Sequence, residues 1–133
     1  MFSYDNVNTV TVVVSDPGAD GTFPIWRVPS RCTRIEVLEA WACLDTAISG
    51  ASTQVALNLV DRGSSGTEVA TDVSNTVGTA TTGDWTAAVP RLFAISKGTM
   101  HGGDYLCLGY EETGTVAPKN ITVGFTWVNG IGA

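Results

Sequence analysis

The sequence predicts an all-β protein, an antiparallel β-sandwich of the jelly-roll type with about eight strands. Three observations carry this. Apolar and polar residues alternate with a period of two in segment after segment, the spacing of a strand with one face buried. β-Branched and aromatic residues fill those segments. Turn-forming clusters separate them: Asp16-Pro17-Gly18, Asp20-Gly21, Ser49-Gly50, Gly63-Ser64-Ser65-Gly66, Gly83-Asp84, Gly102-Gly103 and Thr113-Gly114. Such residues supply positive φ or a side-chain-capped turn. An immunoglobulin-like sandwich of about seven strands is the alternative architecture.

Residues 7–14 alternate around Thr9 and Thr11 and form the first strand. Residues 23–28 form a short strand with Pro24 and Pro29 at its ends, which suits a sheet edge, where a missing ladder donor is tolerated. Residues 34–44 are long and apolar, and their alternation slips between Glu36 and Glu39. A bulged strand explains the slip better than a helix, because Ile35, Val37 and Trp41 favour extended backbone. Residues 54–60, 104–111 and 121–128 alternate cleanly, and 67–73 and 91–95 are shorter candidates. Residues 73–83 are almost entirely small and polar and read as a connection crossing between sheets. Residues 1–6 form an N-terminal arm ahead of a single domain over 7–133.

The chain has 133 residues, 44% of them hydrophobic, which argues for a packed core and against disorder. No apolar run is long enough to span a membrane. Met1 to Asn6 has neither a basic nor an apolar leader region, so no secretory signal is expected. Seven Lys and Arg stand against 13 Asp and Glu, for a net charge of -6. The basic residues are scattered, so nucleic acid is not an expected partner. Only 15% of residues are charged, against about a quarter in ordinary soluble proteins. An uncharged surface suits packing against copies or partners, whose contact centres are depleted of charge. It is equally the habit of Thr-rich sandwiches at large.

Little in the sequence points to reaction chemistry, and no enzymatic activity, metal or cofactor is expected. The one histidine, His101, lies among glycines, where no third group holds an imidazole still. The acidic loop over residues 16–22 lacks EF-hand ligand spacing and its closing glutamate. Asp61, Asp84, Asp104, Glu111 and Glu112 are the residues from which a glycosidase-like carboxylate pair would be drawn, and the sequence selects no pair. Cys32, Cys43 and Cys107 read as buried free thiols, with a Cys43–Cys107 disulfide as the other possibility. Of the tryptophans, Trp41 and Trp127 lie on apolar strand faces and are expected in the core. Trp26 lines either the core or a contact surface. Trp85 follows a Gly-Asp turn; it is the best sugar-stacking candidate, although burial in the core or between subunits suits its ring better.

Several phrases together carry a resemblance: 23–29 (FPIWRVP), 61–67 (DRGSSGT), 85–90 (WTAAVP), 103–115 (GDYLCLGYEETGT) and 125–130 (FTWVNG). The chain resembles small structural proteins of tailed bacteriophages, the jelly-roll decoration (cement) proteins of capsids. That resemblance implies a homotrimer on the outer surface of the phage head, made in the host cytoplasm, whose partner is the major capsid protein. Candidate contact residues are Phe2 and Tyr4 in the arm, with Trp26, Arg27 and Trp85. The alternative function is a receptor- or glycan-binding domain of a phage tail or fibre, with Trp85 at the contact. A small polysaccharide hydrolase and a head-to-tail adaptor are further readings of the same fold.

Overall fold

The computed structural model describes residues 7–15, 17–48, 53–78, 84–114 and 120–130. Among the described residues there are ten strands: β1 Asn8–Ser15, β2 Gly21–Arg27, β3 Arg34–Leu44, β4 Gln54–Asp61, β5 Thr71–Asp72, β6 Val77–Gly78, β7 Arg91–Phe93, β8 Thr99–His101, β9 Tyr105–Thr113 and β10 Asn120–Asn129. They form two sheets in which every pairing is antiparallel. The first has the order β1-β10-β3-β7, with β8 on the remaining length of β3; the second has the order β2-β9-β4-β5, with β6 also on β4.

The pairing follows one rule. With β7 and β8 taken as one interrupted strand and β5 and β6 as another, the first strand pairs with the last, the second with the next to last, and so on inward, with successive pairs falling in alternate sheets. A long hairpin rolled up in this way is a jelly roll. An immunoglobulin-like sandwich would pair its first two strands instead.

Between the sheets lies one core. Ile35, Val37, Ala40, Ala42, Leu44, Ile121, Val123 and Phe125 come from the first sheet, and Val55, Leu57, Leu59, Leu106, Leu108 and Tyr110 from the second. The sequence slip in β3 is a bulge: Thr126 of β10 faces Glu39 and Trp127 faces Val37, leaving Leu38 unpaired. A bulge reverses the parity of everything after it. Ile35 and Val37 therefore point inward before it, and Ala40, Ala42 and Leu44 after it.

That reversal overturns the expectation for Trp41, which lies on the outer face across Gly124, half-buried. Trp127 is at the margin of the core, within 5.2 Å of the Trp26 ring, and Trp26 in turn meets Phe125 edge-on at 5.1 Å. Two strands expected from the sequence are shorter, and of residues 91–95 only Arg91–Phe93 is a strand. Only Thr71–Asp72 of residues 67–73 is extended, because Arg62 donates to the carbonyls of Glu68 and Thr67 and holds them in a loop. β6 and β8, two and three residues long, were not expected.

The buried Trp127 Nε1 has no hydrogen-bond partner among the described residues, and an unpaired buried donor is costly. Trp127→Phe is therefore expected to change stability by less than about 1 kcal/mol, the lost ring area offset by removal of that donor. Urea unfolding midpoints measure this.

Candidate functional site

The outer face of the first sheet is set by strand parity. Two rows cross it without a charged side chain: Thr11, Gly124, Trp41 and Leu92, then Val13, Thr122 and Cys43. Leu92 is 72% exposed and Val13 54% exposed. Charge returns toward the β8 end of this face, where Glu36 accepts a hydrogen bond from Thr99 Oγ1 at 2.6 Å and Arg34 is paired with His101.

The second sheet presents a different outer face, an open groove of about 430 Å³ lined by charged and polar side chains, among them Asp20, Asn58, Arg62, Asp72 and Glu111. Its floor is Gly109, over which the Asn58 side chain lies. Arg62 Nη1 donates to Thr22 Oγ1 at 2.6 Å, and Glu112 N donates to Asp20 Oδ1 at 2.8 Å. These polar groups hold the strand ends together.

Of the residues expected at a contact, Phe2 and Tyr4 lie outside the described residues. Trp26 is half-buried in the aromatic cluster with Phe125 and Trp127. Arg27 is exposed; its Nε donates to the Gly103 carbonyl at 3.2 Å and its guanidinium lies 5.7 Å from the Tyr105 ring centre. Trp85 is in the core, the burial preferred for its ring, and not at a contact surface: it is 2% exposed, and its Nε1 donates to the Val55 carbonyl at 3.0 Å. Arg91 lies over its ring at 5.1 Å. A ring enclosed in this way presents no face to a sugar or a neighbouring subunit.

Two acidic residues far apart in sequence do converge. Asp61 ends β4 and Asp104 precedes β9, and the β4–β9 ladder brings them side by side with His101. They line an open depression of about 300 Å³ with Gly63, Ser64, Glu68 and Thr71. The Asp104 carboxyl lies close enough to that of Asp61 to raise its pKa. Asp104 Oδ2 accepts from the His101 backbone N–H at 3.1 Å and Asp61 Oδ1 from that of Gly63 at 2.8 Å, so both carboxyls brace turns. His101 itself is exposed and sits on a strand, not a loop. Among the described residues no group of three or more His, Cys, Asp and Glu is placed to hold a metal.

Burial, first, and then the adjacent Asp104 carboxyl raise the Asp61 pKa above its ordinary 3.8, against the lowering effect of the Gly63 N–H. A raised folded-state pKa adds stability below the unfolded value that is lost as pH rises through the folded one. Asp61→Asn keeps the acceptor for Gly63 and gives Asp104 a neutral donor. The variant is expected to melt higher than the parent at neutral pH, with the gap shrinking as pH falls toward 4. Melting curves across that range measure the effect.

The cysteines do not pair. Cys43 is on the outer side of the first sheet and Cys107 on the outer side of the second, with the core between them, and all three thiols are free. Burial pushes the Cys107 thiol up, beyond what nearby Arg62 offsets, which keeps it in the unreactive form.

No family model matches the chain, and no curated protein matches it. Among solved structures, the chain is similar to one titled "Structure of infectious bursal disease virus Gt strain", at 11% identity and a TM-score of 0.41 over 97% of this chain. The match covers 35% of that other chain, so this protein spans about a third of its length.

Proposed function

We propose that this protein is a virion structural component, a decoration protein that sits on the outer surface of a phage head and ties neighbouring major capsid subunits together. One observation carries the reading: the uncharged half-face of the first sheet, with Leu92 and Val13 exposed, on a chain whose net charge is -6. Charge-depleted surface of this kind is what the centre of a protein contact is made of. The sequence phrases that resemble phage cement proteins support the same reading, as does the jelly roll, although fold alone assigns no function. The resemblance further implies assembly as a homotrimer in the host cytoplasm before or during attachment. Several weak contacts made at once raise avidity by orders of magnitude. Glycan binding lacks the residue on which it rested, since Trp85 is enclosed.

Heads assembled without this protein are the test. They are expected to release DNA at a lower temperature than complete heads, and purified protein added back is expected to restore the difference. Equal thermal release with and without the protein would contradict the proposal.

A further inference from the structure

The bulge in β3 decides which way Trp41 points. Leu38 is the extra residue, and the change of parity after it turns Glu39 and Trp41 together onto the outer face. A large amphipathic ring gains most by burial, yet Trp41 is half-buried on that face while the small Ala40 and Ala42 take the core positions beside it. The indole edge carrying Nε1, Cε2 and Cζ2 lies over Gly124, where a Cβ would collide with it. The glycine makes room for the ring against the sheet, and the opposite side of the ring faces away from the sheet. Glu39 lies two residues before Trp41 on the same strand face, about 7 Å along the strand. It is exposed, and no hydrogen bond or ion pair to a described residue holds it.

We propose that Trp41 and Glu39 together receive an arginine side chain of the capsid protein, the guanidinium stacked on the indole and its fork turned to the carboxylate. The inference rests on the decoration role proposed above and names the anchor of that contact. Indole is the ring that attracts a cation most strongly. The chain makes the same kind of contact twice within itself: Arg91 lies 5.1 Å from the Trp85 ring centre and Arg27 5.7 Å from that of Tyr105. Among the described residues no cation lies over Trp41.

Charge and shape select arginine. A chain of net charge -6 favours a cationic partner. A ring with a carboxylate beside it matches a planar donor that both stacks and binds in a bidentate fork, which the point charge of a lysine does not. The surroundings suit an anchor as well. Thr11 and Leu92 flank Trp41 and Gly124 in one row, and Thr122 and Cys43 lie in the next, all uncharged. Interface hot spots are enriched in Trp and Arg and are ringed by near-neutral contacts that exclude water.

Co-sedimentation of the full chain with heads assembled without it tests the inference. The parent is expected to bind. Glu39→Gln changes an exposed side chain and is expected to leave the melting temperature unchanged and to weaken binding about tenfold. Trp41→Leu keeps an apolar cover on Gly124 without the aromatic face, and is expected to weaken binding about thirtyfold, the scale of a hot spot. Blocking the arginines of the heads with phenylglyoxal is expected to weaken the parent to a similar degree, and acetylating their lysines to leave it bound. Full binding by Glu39→Gln or Trp41→Leu, full binding of the parent to arginine-blocked heads, or loss on lysine acetylation would each overturn the inference and leave the decoration role standing. A parent that does not bind heads at all would overturn both.

Discussion

Trp85→Ala is expected to remove about 3–5 kcal/mol of stability, much of what a domain of this size possesses. The ring is 2% exposed and closes one end of the sandwich. Its backbone N–H and C=O bridge Ile48 of the first-sheet side at 2.9 and 3.0 Å, while its indole N–H reaches Val55 of the second sheet at 3.0 Å. Truncation leaves a cavity and strips the Val55 carbonyl of its donor. Trp85→Phe fills most of the space but keeps the orphaned carbonyl, so its cost is expected to be smaller, about 1–3 kcal/mol. Chemical unfolding of the two variants beside Trp127→Phe separates a tryptophan that is hydrogen-bonded from one that is not.

Gly102→Ala is expected to be the most damaging of the glycine changes, at about 3 kcal/mol, the upper end for overpacking. A Cβ here would fall against the carbonyl oxygen of Cys32 and lie 3.3 Å from that of Pro29. Both are backbone atoms, and backbone yields less readily than a side-chain tip. The turn is also pinned on both sides, since Gly102 N–H donates to Thr33 and Gly103 N–H to Val28. It carries the chain from β8 in one sheet to β9 in the other. At roughly 3–5 °C per kcal/mol for a domain of this length, a fall of about 10 °C or more in melting temperature is the expected reading. By contrast, Gly109→Ala meets mainly the Asn58 side chain, which has room to swing into the groove, and is expected to cost less.

The elements that were legible in the sequence are those whose own side chains decide their state. β10 and β4 alternate so regularly that only a half-buried strand satisfies them, and the slip between Glu36 and Glu39 announced the bulge at Leu38. Carried one step further, that bulge also determines Trp41: reversing parity after residue 38 turns Ala40 and Ala42 inward and Trp41 outward. β6 and β8 were not legible because two or three residues have no period. Their partners β4 and β3 impose the extended form.

The same distinction separates the surface features. The low charge of the uncharged face was readable as composition, but its concentration on one end of the first sheet depends on strand order. The Asp61–Asp104 contact depends on the β4–β9 register, in which Asp61 faces Leu106, and no local signal in the sequence encodes that register. Trp85 looked like a loop residue because it follows a turn, and it is buried because the bridge to Ile48 draws that loop across the open end of the core.

Electron cryomicroscopy of the native particle tests the proposed decoration role most directly. It is expected to place ten-stranded sandwiches in many copies on the outer surface of the head, with the Leu92 side of the first sheet turned toward a neighbouring subunit. Density for the protein at the tail tip only, or none on the head, would contradict it.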